Sequence, residues 1–286
     1  MSESGFQRPD YNARGRLDGR RVMVIGGGMG IGHQTCLAVS DAGAQVFCVD
    51  IIAERAAAVA EQVGGFAGIG DARQRSDVER MFAEAQAAFG APVTDVVDVI
   101  GDASWAPLLA VDDETWLEQF RINLSHALFV MQIASRLWVE NGINGSMAFV
   151  ASPDGMGSSA LHAPYGAAKA GLINLVKTAA LEFAQHGIRV NAIAPDAAVT
   201  PGHPRSPESI AAYEAIIPLG RMQDDTDMAG VLRWLLTDLA RSVTGQTILV
   251  DGGLSVISRL PRDLKSVASM IGAPFAPAEP AEPAAS

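Results

Sequence analysis

Arg21-Val-Met-Val-Ile25-Gly26-Gly27-Gly28-Met29-Gly30-Ile31-Gly32 is the stretch that decides the fold. A short apolar run ends in a glycine cluster, and a helical pattern, His33-Gln-Thr-Cys-Leu-Ala-Val-Ser-Asp-Ala42, follows at once. Strand, glycine turn and helix in that order make a dinucleotide site, whereas glycines alone mark ordinary turns. The glycines let backbone approach a pyrophosphate, and the helix start offers N–H groups and the positive end of a dipole. A second apolar run, Ala44-Gln-Val-Phe-Cys-Val-Asp50, ends in an acid eighteen residues after Gly32. An acid there accepts hydrogen bonds from ribose hydroxyls, and its plainer alternative is an N-cap for the helix at Ala53–Val63.

Outward from this unit, strand-like and helical periods alternate. The strands are expected at Val22–Ile25, Gln45–Val49, Gly65–Ile69, Val93–Ile100, Ser146–Val150, Ile188–Ala194 and Thr247–Val250. The helices are expected at Ile31–Ala42, Ala53–Val63, Ser76–Phe89, Glu114–Glu140, Tyr165–His186 and Thr226–Asp238. Such alternation predicts an α/β fold: one Rossmann-type, doubly wound parallel sheet with helices on both faces. The domain is expected over 17–258, with an N-terminal extension at 1–16. Residues 197–219, with Pro201, Pro204, Pro207 and Pro218 around a short helical stretch, have the composition of a substrate lid. The stretch 259–286 is a C-terminal extension; it is Pro/Ala-rich from Ala273 and expected to be disordered at its end.

The strongest chemical signal is Tyr165 with Lys169, four apart in Tyr165-Gly-Ala-Ala-Lys169. One helical turn separates them, so both project from one face. An ammonium beside a phenol favours the phenolate, which predicts a tyrosine pKa below the usual ~10. That would suit proton transfer near neutral pH, although the same spacing occurs on ordinary surface helices. Ser152, thirteen residues upstream, follows the apolar run Met147–Val150. It therefore falls at a strand's carboxyl end, where an open α/β sheet keeps its active site.

Together these residues resemble the short-chain dehydrogenase/reductase family over roughly residues 17 to 255. The family's T-G-x-x-x-G-x-G reads here Ile25-Gly26-Gly27-Gly28-Met29-Gly30-Ile31-Gly32, with isoleucine for threonine. Its serine and Tyr-x-x-x-Lys fall on Ser152, Tyr165 and Lys169, and its further asparagine on Asn123. Arg189-Val-Asn-Ala-Ile-Ala-Pro195-Asp196 resembles its R-V-N-x-I-x-P-G, and Thr200 stands where a threonine touches the nicotinamide amide. Its last strand is matched by Val243–Gly253. The resemblance implies that Asp71, with Ala72 beside it, meets the adenine, and that Asn123 holds a water linking Lys169 to solvent. Cofactor contacts are then expected from Gly26, Gly28, Met29, Gly30, Ile31, Gly32, Asp50, Asp71, Ala72, Gly101, Tyr165, Lys169, Pro195 and Thr200. N-N-A-G is replaced by Asp98-Val99-Ile100-Gly101, Asp102 adds a carboxylate near the nicotinamide, and Asp196 replaces a glycine.

The implied activity is reversible hydride transfer between NAD and a secondary alcohol or ketone, with Asn123, Ser152, Tyr165 and Lys169 catalytic. Ser104, Trp105, Met156 and His162, with Pro107 and Leu161, are expected to line a mostly apolar pocket for a cyclic, aromatic or steroid-like substrate. An NADPH-dependent carbonyl or 3-oxoacyl-thioester reductase is the alternative. Asp50 opposes it by repelling a 2′-phosphate, and Arg55 is the one nearby cation. A non-enzymatic cofactor-binding regulator is a third reading, opposed by the intact serine, tyrosine and lysine.

Composition bounds the rest. The 286 residues are 49% hydrophobic, enough for one large core. A net charge of −11 disfavours nucleic acid and anionic membranes. No apolar run reaches the ~18 to 20 residues of a membrane span, and the N-terminus carries no export-type apolar core. Cys36 and Cys48 read as buried thiols, which fits the cytoplasm. The five histidines have no metal-ligand spacing. Apolar and small residues in the two long helices exceed what one sheet face covers, which predicts a homotetramer, with a dimer as the alternative.

Overall fold

A computed structural model describes residues 9–196, 198–202 and 205–256. The expected C-terminal extension and the first half of the N-terminal one lie outside the described residues, as do three positions of the expected lid. After a short helix α1 (Tyr11–Arg14), the chain runs β1 (Arg21–Ile25), α2 (Gly30–Asp41), β2 (Gln45–Asp50), α3 (Ala53–Gln62), β3 (Phe66–Ile69), α4 (Arg75–Phe89) and β4 (Asp95–Asp98). It continues α5 (Asp113–Phe120), a π-helical turn (Arg121–Ser125), α6 (His126–Asn141), β5 (Ser146–Val150), α7 (Ala163–Phe183) and β6 (Arg189–Pro195). The last elements are β7 (Ala198–Val199), α8 (Pro207–Glu214), β8 (Gln223–Asp224), α9 (Asp225–Leu236) and β9 (Thr247–Val250).

Seven strands form one parallel sheet in the order β3-β2-β1-β4-β5-β6-β9, as the alternation predicted. Strands buried on both faces read as continuous apolar runs, and alternate residues serve opposite sides. Met23, Ile25, Phe47, Val49, Met147 and Phe149 join the core under α4, α6 and α7. Val22, Val24, Val46, Cys48, Ala148 and Val150 join the core under α2, α3 and α9. The wholly buried Trp138 anchors α6 by donating from Nε1 to Val93 O at 2.8 Å. Arg20 grips the buried Asp95 through two hydrogen bonds of 2.6 and 2.7 Å, tying the chain before β1 to β4.

The expected helix Glu114–Glu140 is not one regular helix. Asp112 caps α5 by accepting from Thr115 N at 2.8 Å, and the π turn then shifts the ladder by one residue around Asn123. The expected strand Val93–Ile100 narrows to Asp95–Asp98, because beyond it the chain turns to pass the end of β1. The small pairing of β7 with β8 brackets α8, and α9 starts with a capping box from Asp224 and Asp227.

Strand order reverses at β1 and β4. In an open parallel sheet that reversal leaves a crevice at the carboxyl ends of the strands. Gly26, Asp50, Gly101, Ser152 and Pro195 all sit at or just beyond those ends. Among the described residues, no helix is long and apolar enough to cross a membrane, and no group of three or more histidine, cysteine or acidic residues could hold a metal ion.

Candidate active site

The glycine loop joins β1 to α2. Gly26 has φ +83°, a left-handed conformation that favours glycine, and a Cβ there would press on Val99 Cγ2 at 2.9 Å. Gly32 is required for another reason: a Cβ on it would lie 2.0 Å from Gly26 O, so helix and loop touch backbone to backbone. Helix α2 begins after Met29 with no side chain capping its first N–H groups. Free donors and the helix dipole together suit a pyrophosphate. Asp50 is 7% exposed; its Oδ2 accepts from Gly28 N at 3.0 Å and its Oδ1 from Ile52 N at 2.9 Å. It does not cap α3, whose N-cap position is Ile52. The same carboxylate braces the glycine loop and faces a cavity of about 200 Å³ shared with Gly26, Gly70, Asp71, Ala72 and Ile100. Asp71 is gripped there by Arg73 at 2.8 to 3.0 Å, and this guanidinium holds its carboxyl below the usual range.

A larger cavity of about 570 Å³ opens beside it, over β4, β5 and β6. Ser152, Tyr165 and Lys169 all line it, so three residues from two separate sequence segments meet on one wall. Ile31, Gly101, Pro195 and Thr200 line it too, whereas Gly28, Met29, Gly30 and Gly32 of the glycine loop line neither cavity. Lys169 is 2% exposed, and its Nζ donates to Val150 O at 2.8 Å and lies 5.7 Å from the centre of the Tyr165 ring. Burial pushes its pKa down to about 8, and the carboxylate of Asp98 acts the other way.

The expected depression of Tyr165 is not what the protein itself produces. Burial drives the phenol up to about 12, the hydrogen bond with Ser152 draws it back in part, and the negative charges of Asp154, Asp102 and Asp196 raise it further. Desolvation of the phenolate is the largest effect, and Lys169 Nζ, 5.7 Å from the ring centre and bonded to Val150 O, does not offset it.

Asn123 is wholly buried in the π turn. Its amide donates to Asp102 O at 2.8 Å and Gln119 O at 3.1 Å, and its Oδ1 accepts from Asp102 N at 3.2 Å. These bonds make it the brace of the Gly101–Asp102 turn. A Cβ on Gly101 would come within 2.8 Å of Lys169 Nζ and 3.0 Å of Asn123 Oδ1, which is why the chain has glycine there.

The substrate side is more polar than the sequence suggested. Trp105 and His162 stand on the cavity wall; Ser104, Met156, Pro107 and Leu161 do not. Met156 and Leu161 are half exposed, and Ser104 N donates to Gln119 Oε1 while its hydroxyl is buried. Asp102, Asp154, Ser159, Asp196, Arg205 and Tyr213 occupy the wall instead. These polar groups stand beside apolar residues, Ile31, Val99, Val150 and Pro195 among them, so the lining is mixed. Thr200, Arg205 and Tyr213 come from the expected lid segment, and the Arg205 guanidinium lies 4.7 Å over the Tyr213 ring.

Two acid–histidine pairs escaped the sequence reading. Asp98 meets His126 Nδ1 at 2.8 Å, with both side chains buried behind the wall. Asp154 meets His162 Nδ1 at 2.5 Å on the wall itself. His126 three residues after Asn123, and Asp154 two after Ser152, were visible as positions. Their partners were not, since each pair joins two elements.

The comparisons with known proteins agree with this geometry. The family model described as enoyl-(acyl carrier protein) reductase matches residues 26–255. A 2,5-dichloro-2,5-cyclohexadiene-1,4-diol dehydrogenase of Sphingobium indicum is 33% identical over 247 residues, covering 84% of this chain and 99% of its own. A glucose 1-dehydrogenase of Gluconobacter oxydans is 32% identical over 254 residues, covering 84% and 94%. The crystal structure of a short-chain type dehydrogenase/reductase from Mycobacterium marinum superposes with a TM-score of 0.78 at 27% identity, covering 86% of this chain and 99% of that one. The chain belongs to the short-chain dehydrogenase/reductase family, and it is an oxidoreductase of the kind that acts on alcohols and ketones.

Proposed function

We propose that the protein interconverts a secondary alcohol and a ketone using a nicotinamide dinucleotide, with NAD preferred over NADP. The observation that carries this reading is the meeting of Ser152, Tyr165 and Lys169 on one wall of a cavity at the sheet's switch point. The glycine loop, the uncapped start of α2 and Asp50 are suited to hold the dinucleotide, which when bound supplies the hydride acceptor or donor. Ser152 holds the substrate oxygen by its hydroxyl. Tyr165 is a phenol at neutral pH, so it serves directly as the proton donor to a ketone oxygen. In the alcohol-oxidising direction it takes that proton back, and the Lys169 ammonium beside its ring stabilises the phenolate so formed. Lys169 also reaches toward the ribose next to the nicotinamide, as the family pattern implies. Asn123 braces the Gly101–Asp102 turn that packs against Lys169.

Preference for NAD rests on Asp50, an acid at the end of β2 facing the smaller cavity, where a 2′-phosphate would meet like charge. One observation favours the NADPH reading: the Arg55 guanidinium lies 3.1 Å from Met29 Sδ, beside the glycine loop. Asp50 lines the smaller cavity and Arg55 does not, which favours NAD. The carboxylates and the guanidinium on an otherwise apolar cavity wall support a substrate that carries polar groups beside its apolar part. Two buried thiols, Cys36 and Cys48, suit a reducing compartment such as the cytoplasm.

Initial rates on a panel of secondary alcohols and ketones with NAD and NADP, followed by the absorbance of the reduced nicotinamide, test the reading. Tyr165→Phe keeps the ring and removes only the hydroxyl. It should cost roughly 10² to 10⁴ in turnover while nucleotide binding persists. A variant that keeps more than about a tenth of wild-type turnover when chemistry limits the rate would overturn the assignment.

A further inference from the structure

We infer that His162, held by Asp154, is a specificity-determining residue that accepts a second hydroxyl of the substrate, so that the preferred substrates are diols. This rests on the alcohol dehydrogenase reading above and adds the substrate class. His162 lines the same cavity as Ser152 and Tyr165, and its ring centre lies 5.2 Å from that of Tyr165. A molecule no larger than one six-membered carbon ring can reach from one to the other. Asp154 Oδ2 takes Nδ1 at 2.5 Å, and Asp154 Oδ1 accepts from the Ser159 hydroxyl at 2.5 Å, so the carboxylate is fixed from two sides. An acid on Nδ1 assigns the proton to that nitrogen and leaves Nε2 of the neutral ring as an acceptor. Nε2 is buried and has no hydrogen-bond partner. A buried polar atom without a partner is costly, and a site that leaves one beside its reacting groups gains most from a ligand that satisfies it.

The surroundings are built to keep that nitrogen in place. Leu161, just before His162, has φ +69°, an uncommon conformation for a leucine, and its carbonyl accepts from Ala106 N at 2.9 Å. That bond ties the two loops together, and Trp105 stacks on the His162 ring with centres 3.4 Å apart. Trp105 is itself 65% exposed and lies against the ring, and a substrate hydroxyl reaches the covered Nε2 as the packing around it shifts.

Charge selects the class of second group. Asp102, Asp154 and Asp196 stand on the described part of the wall and all act unfavourably on a negative charge at Tyr165. A carboxylate held beside Tyr165 would meet the same three charges, against the cations of Lys169 and Arg205 on that wall. A hydroxyl carries no charge, donates to Nε2 of the neutral imidazole, and accepts from it if the ring is protonated.

The test compares kcat/KM of cyclohexane-1,2-, 1,3- and 1,4-diol with that of cyclohexanol and of 3-hydroxycyclohexanecarboxylate, in wild type, His162→Leu, His162→Gln and Asp154→Asn. In wild type at least one diol should exceed cyclohexanol by about tenfold, chiefly through KM, as one hydrogen bond to an otherwise unpaired atom allows. His162→Leu should bring the ratio of diol to cyclohexanol close to one. His162→Gln, which keeps an acceptor on the side chain, should retain part of the preference, and this variant decides the matter if His162→Leu does not fold. Asp154→Asn should give an intermediate ratio by loosening the ring. Diols no better than cyclohexanol, a ratio unchanged by both His162 variants, or a preference for the hydroxy acid would overturn the inference and leave the alcohol dehydrogenase reading standing. If no alcohol in the panel turns over with either nucleotide, that reading fails and the inference fails with it.

Discussion

Replacing Lys169 with methionine should remove the buried ammonium and yet leave the folded protein no less stable at neutral pH. Lys169 is buried to 2% exposure, and its pKa falls from the ordinary 10.5 to about 8. A shift of that size means that burying the charged form costs roughly 3 kcal/mol relative to the neutral form. Methionine has similar reach and no charge, so that cost disappears. Against it stands the hydrogen bond from Nζ to Val150 O, whose loss leaves a buried carbonyl unpaired at about 1 to 3 kcal/mol. The two nearly cancel, with a small net gain, of about 1 kcal/mol, on the side of the variant at pH 7. The sign of the pH dependence is more telling. Between the folded value of about 8 and the unfolded value of 10.5, the unfolded chain binds the lysine proton more strongly, so wild-type stability rises with pH. Integrated from pH 7 to pH 9, this contributes roughly 1.3 kcal/mol to the wild type and nothing to the variant. Cys36, pushed well above its ordinary value by its hydrogen bond to Cys48, withdraws stability at higher pH but is present in each protein and cancels in the difference, and Tyr165, raised from 10.0, acts above this window. Urea unfolding of both proteins at pH 7 and pH 9, at one protomer concentration and without added nucleotide, gives the comparison. A variant more than about 1 kcal/mol less stable than wild type at pH 7, or a difference between the two that does not change with pH, would refute the reasoning.

Three further outcomes are expected. Gly32→Ala would place a methyl 2.0 Å from Gly26 O, so the loop must move; we expect a loss of at least about 2 kcal/mol in stability, read by thermal unfolding, together with weakened nucleotide binding. Calorimetry should give tighter binding of NAD than NADP, and Asp50→Ala should narrow the difference; equal affinity in the wild type would remove Asp50 from the ribose site. Trp116 and Leu117 on α5, Leu128 and Val139 on α6 and Leu181 on α7 are exposed apolar side chains on the two long helical segments. We propose that they pair between copies in a homotetramer, and light scattering that finds a monomer at micromolar concentration would exclude it.

The sequence by itself determined the alternation of strand and helix, because strands covered on both faces must be apolar throughout and their boundaries fall at glycine and acidic turns. It also determined the glycine loop, Asp50, and the trio Ser152, Tyr165 and Lys169, since each is marked by a local spacing with a local cause: one helical turn, or one strand end. Tertiary structure alone decided what depends on neighbours far along the chain. The π turn at Asn123 was hidden inside a helical period. The polar part of the cavity was hidden because Asp102, Asp154, Asp196 and Arg205 come to one wall from four separate connections. The pKa of Tyr165 went the opposite way from the local expectation: a tyrosine–lysine pair on a helix face is attractive in water, but packing that face against β5 desolvates both groups, and desolvation is a property of everything around them. For the same reason neither histidine pair was legible, since Asp98 with His126 and Asp154 with His162 are contacts between elements whose meeting only the closed fold provides.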